Sequence, residues 1–564
     1  MSTDPAPPGD HVAAMRDQVD QRIDQVGRNS ASLAMGTLVS RILGFVRTAL
    51  LSWCVTTALS GDAFNIANTL PNQIYIMIST GLITAVLIPQ ITRAHKLKDG
   101  GEDFINRLLT LVWIVLAAVT VIATLLTPVL VRVQTSTSAM DHAPAMMPLA
   151  ILFGYWCMPQ IFFYGMYAVL GQVLNARGHF RAYAWAPVWA NVVNIAAFAA
   201  FFLIWHQRPD PSGWTWQMIA VLAGGSTLSI IVQGVCLIVP LYRDGFRYHP
   251  RFGWRGYGFR SASHMSGWML ATVILNTAYS YLLTWALTAA RNGSSSAAGN
   301  SVQAYAFILF MVPQSIVTGS IVTAMFPRLS KAWADHDTGA VRSQIRQGVT
   351  SSAIIIIPVS IAMIALGRPL IRTLLSGLSD AQVTQVWLVM AAYCLGLFPF
   401  GLNSLRQNYF FAQQDGATNL WQVVVQLVIQ VLGIVVALTA VSATYRVTTM
   451  ALGQTVSAVV GAVIFLWLAR RQLGELALRA QTWLWTRLFA ASVVAGLASW
   501  GVVQALGLAS QAHLFQPVVL VVGAIVFLVV FWVLAAALRI TEFIDLVRGL
   551  MRRARGLVAR ARRA

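Results

Sequence analysis

Fourteen apolar tracts, divided by short polar segments, run along the chain. They lie roughly at 31–56, 63–92, 107–131, 146–175, 183–205, 217–242, 263–290, 302–327, 349–367, 384–411, 418–441, 447–469, 485–507 and 514–540. About 20 such residues suffice for a helix to cross a bilayer. Only helices or closed barrels satisfy their backbone groups in lipid, and tracts of this length are helical. The pattern therefore predicts an all-α polytopic membrane protein with about fourteen transmembrane helices.

A weak repeat runs through the pattern. The second tract contains LPNQIYIMISTGLITAVLIPQITRA and the eighth contains MVPQSIVTGSIVTAMFPRLSKA, so Pro71 and Pro89 answer to Pro313 and Pro327. LNARGHF after the fourth tract resembles YFFAQQDG after the tenth. The offset is roughly 240 residues, or six spans. An even number of spans makes the repeats parallel. This predicts two six-helix lobes, 31–242 and 263–469, with a cavity between them. Spans 13 and 14 (485–540) form an appendage. Residues 1–30 read as a cytoplasmic N-terminal segment, and 541–564 as a basic, amphipathic cytoplasmic tail.

The first tract, Ala31–Thr56, is the most informative. It carries Arg41 and Arg47, and Arg41 lies about 15 Å into the helix. An arginine at that depth costs at least about 2.5 kcal/mol unless it meets water, an anion or a partner. At about 100° per residue, Thr37, Ser40, Arg41, Gly44, Arg47 and Thr48 share one arc, and Leu38, Val39, Ile42, Phe45, Val46 and Leu50 take the other side. The helix thus has a cationic stripe with a small residue at its centre. It reads as an anion site facing a wet cavity, or as an arginine pair tied to carbonyls or lipid headgroups within the bundle.

Composition agrees with the pattern: 57% of residues are hydrophobic, 10% are charged, and the mean hydropathy is +0.67. The net charge of +20 is an orientation signal rather than a nucleic-acid footprint. Of 39 Lys and Arg, thirty fall in the segments that are cytoplasmic if the N-terminus is inside. Six, Arg132, Arg208, Arg291, Arg368, Arg372 and Arg446, fall on the other side, and Arg41, Arg47 and Arg406 lie within spans. That is a positive-inside pattern with both termini cytoplasmic, and it implies contact with anionic membrane lipids.

None of the nineteen carboxylates lies in the middle of a span. A cation antiporter usually needs an intramembrane acid. A lipid-linked glycosyltransferase needs acids at the membrane surface for metal or base chemistry. Neither arrangement is present, nor is a phosphate-binding GxxxxGK[ST] loop. Cys54, Cys157, Cys236 and Cys394 show no pairing or metal spacing, so no metal, cofactor or catalytic residue is expected.

Further positions invite a role. Asp62 opens the second span, as an N-terminal charge on its helix or as the outer-gate partner of an arginine. Pro71, followed by Asn72, bends a helix lining the cavity or merely kinks a packing helix. Gln422, Gln426 and Gln430 form one polar stripe on span 11, for interhelical hydrogen bonding or for cavity lining. Arg406 is expected to snorkel to the cytoplasmic interface, with a headgroup contact as the alternative.

The stretches SRILGFVRTALL, GDAFNIANTLPN, LNARGHFRAYAWAPVWAN and FPRLSKA resemble the MurJ/MviN lipid II flippases of the MOP exporter superfamily. The resemblance covers about residues 30–540. It implies fourteen helices in a V-shaped pair of lobes. It also implies movement of undecaprenyl-pyrophosphate-linked peptidoglycan precursor, lipid II, across the bacterial inner membrane by alternating access, without covalent chemistry. By motif, Ser40, Arg41 and Arg47 take cavity-lining positions, and Asp62 takes the family's acidic position. With Thr37 and Asn72 they make the candidate substrate site, with Asp62, Gly44 and Pro71 as gating positions and Arg406, Gln422 and Gln426 as outlying candidates. Tyr75 and Ile76 stand where relatives often carry basic residues, and Thr80 where they carry an acid. Another arginine of many relatives is replaced near Ile308, so the cavity is less basic. The alternatives are another polyprenyl-linked oligosaccharide flippase, a MATE-like exporter of the superfamily, or a non-transporting scaffold of envelope synthesis. Cell-wall synthesis or division proteins are conceivable partners; nucleic acid is not.

Overall fold

The computed structural model describes residues 35–79, 102–137, 141, 143–253, 264–291, 297–509, 516–545 and 547–548. The 1–30 segment, the second half of the second span with Thr80 and Pro89, and most of the 541–564 tail lie outside these residues. Secondary structure among the described residues is helical throughout, without strands. The long helices are α1 (Met35–Val55), α2 (Leu59–Ile78), α3 (Glu102–Leu125), α4 (Met146–Ala176), α5 (Phe180–Trp205), α6 (Trp216–Arg243), α7 (His264–Arg291), α8 (Asn300–Ala334), α9 (Thr338–Ala365), α10 (Asp380–Ala412), α11 (Gly416–Ala440), α12 (Ala443–Leu473), α13 (Leu478–Ala509) and α14 (Gln516–Ala537). Twelve are long and apolar enough to cross a membrane, and α10, bent by 51° after Leu395, makes a thirteenth. The expected fourteenth, α2, spans Leu59–Ile78, and the rest of its tract lies outside the described residues.

Lipid tails are as apolar as leucine, so helices in a membrane associate mainly through close packing and hydrogen bonds. The first six helices gather such a core around Phe64, Phe153 and Phe198, whose rings meet edge to face. A second cluster fills the other end of this set, between α3, α4 and α6. Helices α7–α12 build separate cores around Tyr305, Phe310 and Tyr393, and around Tyr409 and Phe465. Helices α11 and α12 pack closest at glycines: a Cβ on Gly433 would sit 2.9 Å from the Cα of Gly453. The last pair, α13 and α14, packs on itself, on α9 and on the short helix Gly367–Leu374.

Prolines and widened turns interrupt several helices. Pro71 lies inside α2 and Pro313 inside α8, where a π-helical turn, Gln314–Thr318, follows at once. Such bulges are frequent at functional sites.

The polar contacts that join the two sets gather where α1 ends, α2 begins, α7 ends and α8 begins. The Trp53 indole donates to Ser376 Oγ at 2.9 Å, Gln207 Nε2 to the Gly377 carbonyl at 3.2 Å, and the Ser136 N–H to Thr288 Oγ1 at 2.9 Å. Helices α2 and α8 also meet here.

Candidate functional site

Helix α1 follows its angular pattern only in part. Leu38, Ile42 and Val46 are exposed and Arg41 and Arg47 half-buried, but Val39, Phe45 and Leu50 of the predicted apolar side are half-buried too, and Phe45 and Leu50 pack against the cores. Arg41 Nη1 donates to Ser315 Oγ, in the π-turn of α8, so this cation bridges the two helix sets. Arg47 lies near the Tyr164 hydroxyl, and the Tyr164 ring stacks on Tyr75 with centroids 5.7 Å apart. Open space surrounds Gly44, where a Cβ would meet nothing within 4 Å. A guanidinium offers five donors in a planar fork that suits phosphate oxygens. The α1 cations thus flank a region able to receive an anionic group.

The other candidates separate. Ser40 faces α5: its carbonyl and Oγ both accept from Asn191 Nδ2, at 3.0 and 3.1 Å. Thr37 and Asn72 are exposed, and Pro71 is buried within α2. The residue after Asn72, Gln73, donates from Nε2 to Ser280 Oγ of α7 at 2.6 Å, a further link between the sets.

Asp62 is the best-defined polar group of the bundle. It is 0% exposed and pairs at 2.5 Å with Arg291, itself 2% exposed, from the end of α7. Its second oxygen accepts the Ser301 N–H at 2.7 Å, in the first turn of α8. A carboxylate there also meets the positive end of that helix. Arg291 Nη2 donates to the Thr57 carbonyl at 2.8 Å. Both charges are out of water, and such a pair holds only if each partner is neutralised and hydrogen-bonded. Gly299 is required beside it, because a Cβ there would strike the Asp62 carboxylate and sit 2.9 Å from Arg291 Nη1.

Arg406 does not snorkel. It is 5% exposed and donates to Gln426 Oε1 at 3.2 Å. Its place in the second half of bent α10 turns it toward α11 rather than toward the interface. Gln426 in turn donates to Asn403 Oδ1 at 2.9 Å, and Gln430 to Ser457 Oγ at 2.9 Å. These two glutamines therefore join α11 to α10 and α12. Gln422, fully buried, has no partner among the described residues for either end of its amide.

Sequence reasoning missed Arg291, Ser301 and Gly299. It placed Arg291 among the outer-loop charges. The available signal was that Arg291 follows span 7, at the same end of the bundle as Asp62. Tyr164 and Tyr75 beside the α1 cations were missed as well, since aromatics within apolar tracts carry no periodic mark.

Comparison with known proteins places this architecture. The chain matches the family of lipid II flippase MurJ over residues 54–537, a stretch that begins after Arg41 and Arg47. It is 26% identical over 387 residues to the lipid II flippase MurJ of Burkholderia cenocepacia, covering 67% of this chain and 72% of that one. It is 24% identical over 396 residues to a probable lipid II flippase MurJ of Rhizobium meliloti, covering 69% and 71%. Among solved structures it resembles a lipid II flippase MurJ in an inward closed conformation, with a TM-score of 0.67, 15% identity, and coverage of 90% of this chain and 99% of that one. It also resembles an inward-facing multidrug resistance MATE transporter of the MOP superfamily, with a TM-score of 0.60, 14% identity, and coverage of 80% and 99%. The helical architecture and the family match over most of the chain lead to one assignment: this multi-pass membrane protein belongs to the lipid II flippase MurJ family.

Proposed function

We propose that the chain carries lipid II from the inner to the outer leaflet of the bacterial inner membrane, with both termini cytoplasmic. In this reading Arg41 and Arg47 hold the pyrophosphate in a wet cavity between the two lobes, α1–α6 and α7–α12. The polyprenyl tail stays in lipid, along α13 and α14. The observation that carries the mechanism is the buried Asp62–Arg291 pair at the end where the lobes meet. With the termini inside, that end is the outer one, so the pair is an outer gate held shut. Opening it must part Asp62 from both Arg291 and the Ser301 N–H, and alternating access consists of exchanging this closure for one at the inner end.

The Arg41–Ser315 contact crosses the same divide deeper in the bundle. An anion drawing Arg41 away from Ser315 would loosen one link between the lobes, which connects substrate binding to rocking. The direct test is depletion of the protein with a sidedness assay for lipid-linked precursor, followed by complementation. Wild type restores precursor to the outer leaflet. Arg41→Ala and Arg47→Ala, inserted at normal levels, do not. Full complementation by both single variants would overturn the assignment of the site.

A further inference from the structure

We propose that the α7–α12 set holds a binding site for a small monovalent inorganic anion of the chloride class, anchored by Arg406. This goes beyond the reading above and does not depend on it. Arg406 lines a cavity of about 220 Å³ between α7, α10 and α11, together with Asn276, Ser404, Gln407, Asn419 and Gln426. Arg406 is 5% exposed. One neutral oxygen, Gln426 Oε1, accepts from Nη1 at 3.2 Å, while Nε–H has no acceptor among the described residues. Among the described residues no Asp or Glu pairs with it. The contrast with Arg291, equally buried and matched to Asp62, is direct.

An arginine does not shed its proton in a protein, so this charge is permanent. A permanent charge out of water, met by a single neutral acceptor, calls for an opposite charge. The described residues supply none, and the cavity gives room for one from solution. It has room for several waters. That accommodates an ion with part of its hydration shell. Asn419 and Gln407 can turn their NH₂ groups inward, because the two ends of an amide are nearly alike in shape, whereas the Asn276 NH₂ is held by the Thr272 carbonyl at 2.8 Å. Gln426 cannot, since Asn403 Oδ1 already holds its NH₂ at 2.9 Å. An anion here would tie α10 and α11 together through Arg406, Gln407 and Asn419, and its binding would stabilise the folded protein by mass action.

The test uses the full chain in nanodiscs of zwitterionic phosphatidylcholine. Tm is followed as sodium gluconate is replaced by sodium chloride or bromide at constant ionic strength. The expected result is a saturable rise in Tm with either halide, lost in Arg406→Gln and retained in Arg41→Gln and Arg47→Gln. If Arg406→Gln fails to fold, bromide-soaked wild-type crystals decide, with an anomalous peak expected beside the Arg406 guanidinium. The proposal is overturned by the absence of a saturable halide effect, by its survival in Arg406→Gln, or by its loss in the Arg41 or Arg47 variant. It is also overturned if phosphatidylglycerol raises Tm through Arg406 where chloride does not, since the site would then hold a lipid phosphate.

Discussion

Consider Asp62→Asn. The side chain keeps its shape but loses its charge, and Arg291, 2% exposed, is left without the Asp62 carboxylate. Removing one member of a buried pair typically costs about 3–5 kcal/mol. About 1.4 kcal/mol corresponds to a factor of ten. The ratio of closed to open gate should therefore fall by roughly two to three and a half powers of ten, an upper bound because entering water relieves part of the penalty. Ser136 reports on the change: it is 2% exposed, and its N–H donates across the divide to Thr288 Oγ1 at 2.9 Å. With the four native cysteines replaced, a Ser136→Cys protein should react slowly with a membrane-impermeant maleimide. The rate should rise with the open fraction in Asp62→Asn and in Arg291→Gln. Gly299→Ala, which forces a methyl group between the same two side chains, should act in the same direction. The double variant Asp62→Asn/Arg291→Gln removes both charges and should label more slowly than either single variant, because replacing both partners avoids an orphaned charge. Equal labelling of wild type and single variants at equal expression, or simple additivity in the double variant, would refute the gate.

Three further outcomes follow from the same features. Arg41→Ala and Arg47→Ala should each abolish outer-leaflet delivery of precursor while leaving membrane insertion intact, as read by the sidedness assay and by expression level. Flipping should respond to collapse of the membrane potential and be indifferent to replacing sodium with a large cation, since spans 7, 8, 9, 11 and 12 hold no carboxylate; one elementary charge crossing the field is worth about 2.3 kcal/mol per 100 mV, and a steep sodium requirement at constant potential would contradict this. At the α3–α6 end, hydrogen bonds from Arg107 to Asp103, and from Arg177 and then His179 to Asp244, hold both carboxyls below their ordinary range. Their folded values are depressed, so their contribution is complete above about pH 4 and is lost as pH falls further; Tm should drop below that pH, and less steeply in Asp244→Asn, whereas identical profiles would remove this link.

The chain's own pattern determined its architecture. Tracts of about twenty apolar residues must be helices in a bilayer, because no other open structure satisfies their backbone there. The 100° step between residues likewise decided that Arg41 and Arg47 share a side of α1, opposite Leu38, Ile42 and Val46, since helix faces are a local property. The acid at the start of α2 was legible for the same reason. Which groups meet was not. Asp62 and Arg291 are 229 residues apart in sequence, and Arg41 and Ser315 are 274 apart; no periodicity within a helix specifies a partner in another lobe. Periodicity also allowed Ser40 to join the cationic stripe, but packing against α5 committed it to Asn191. Depth along span 10 suggested that Arg406 could reach the interface. The 51° bend in α10 and the facing stripe of α11 buried it instead. Local spacing decides which residues share a helix face, and only the packing of helices decides what that face meets.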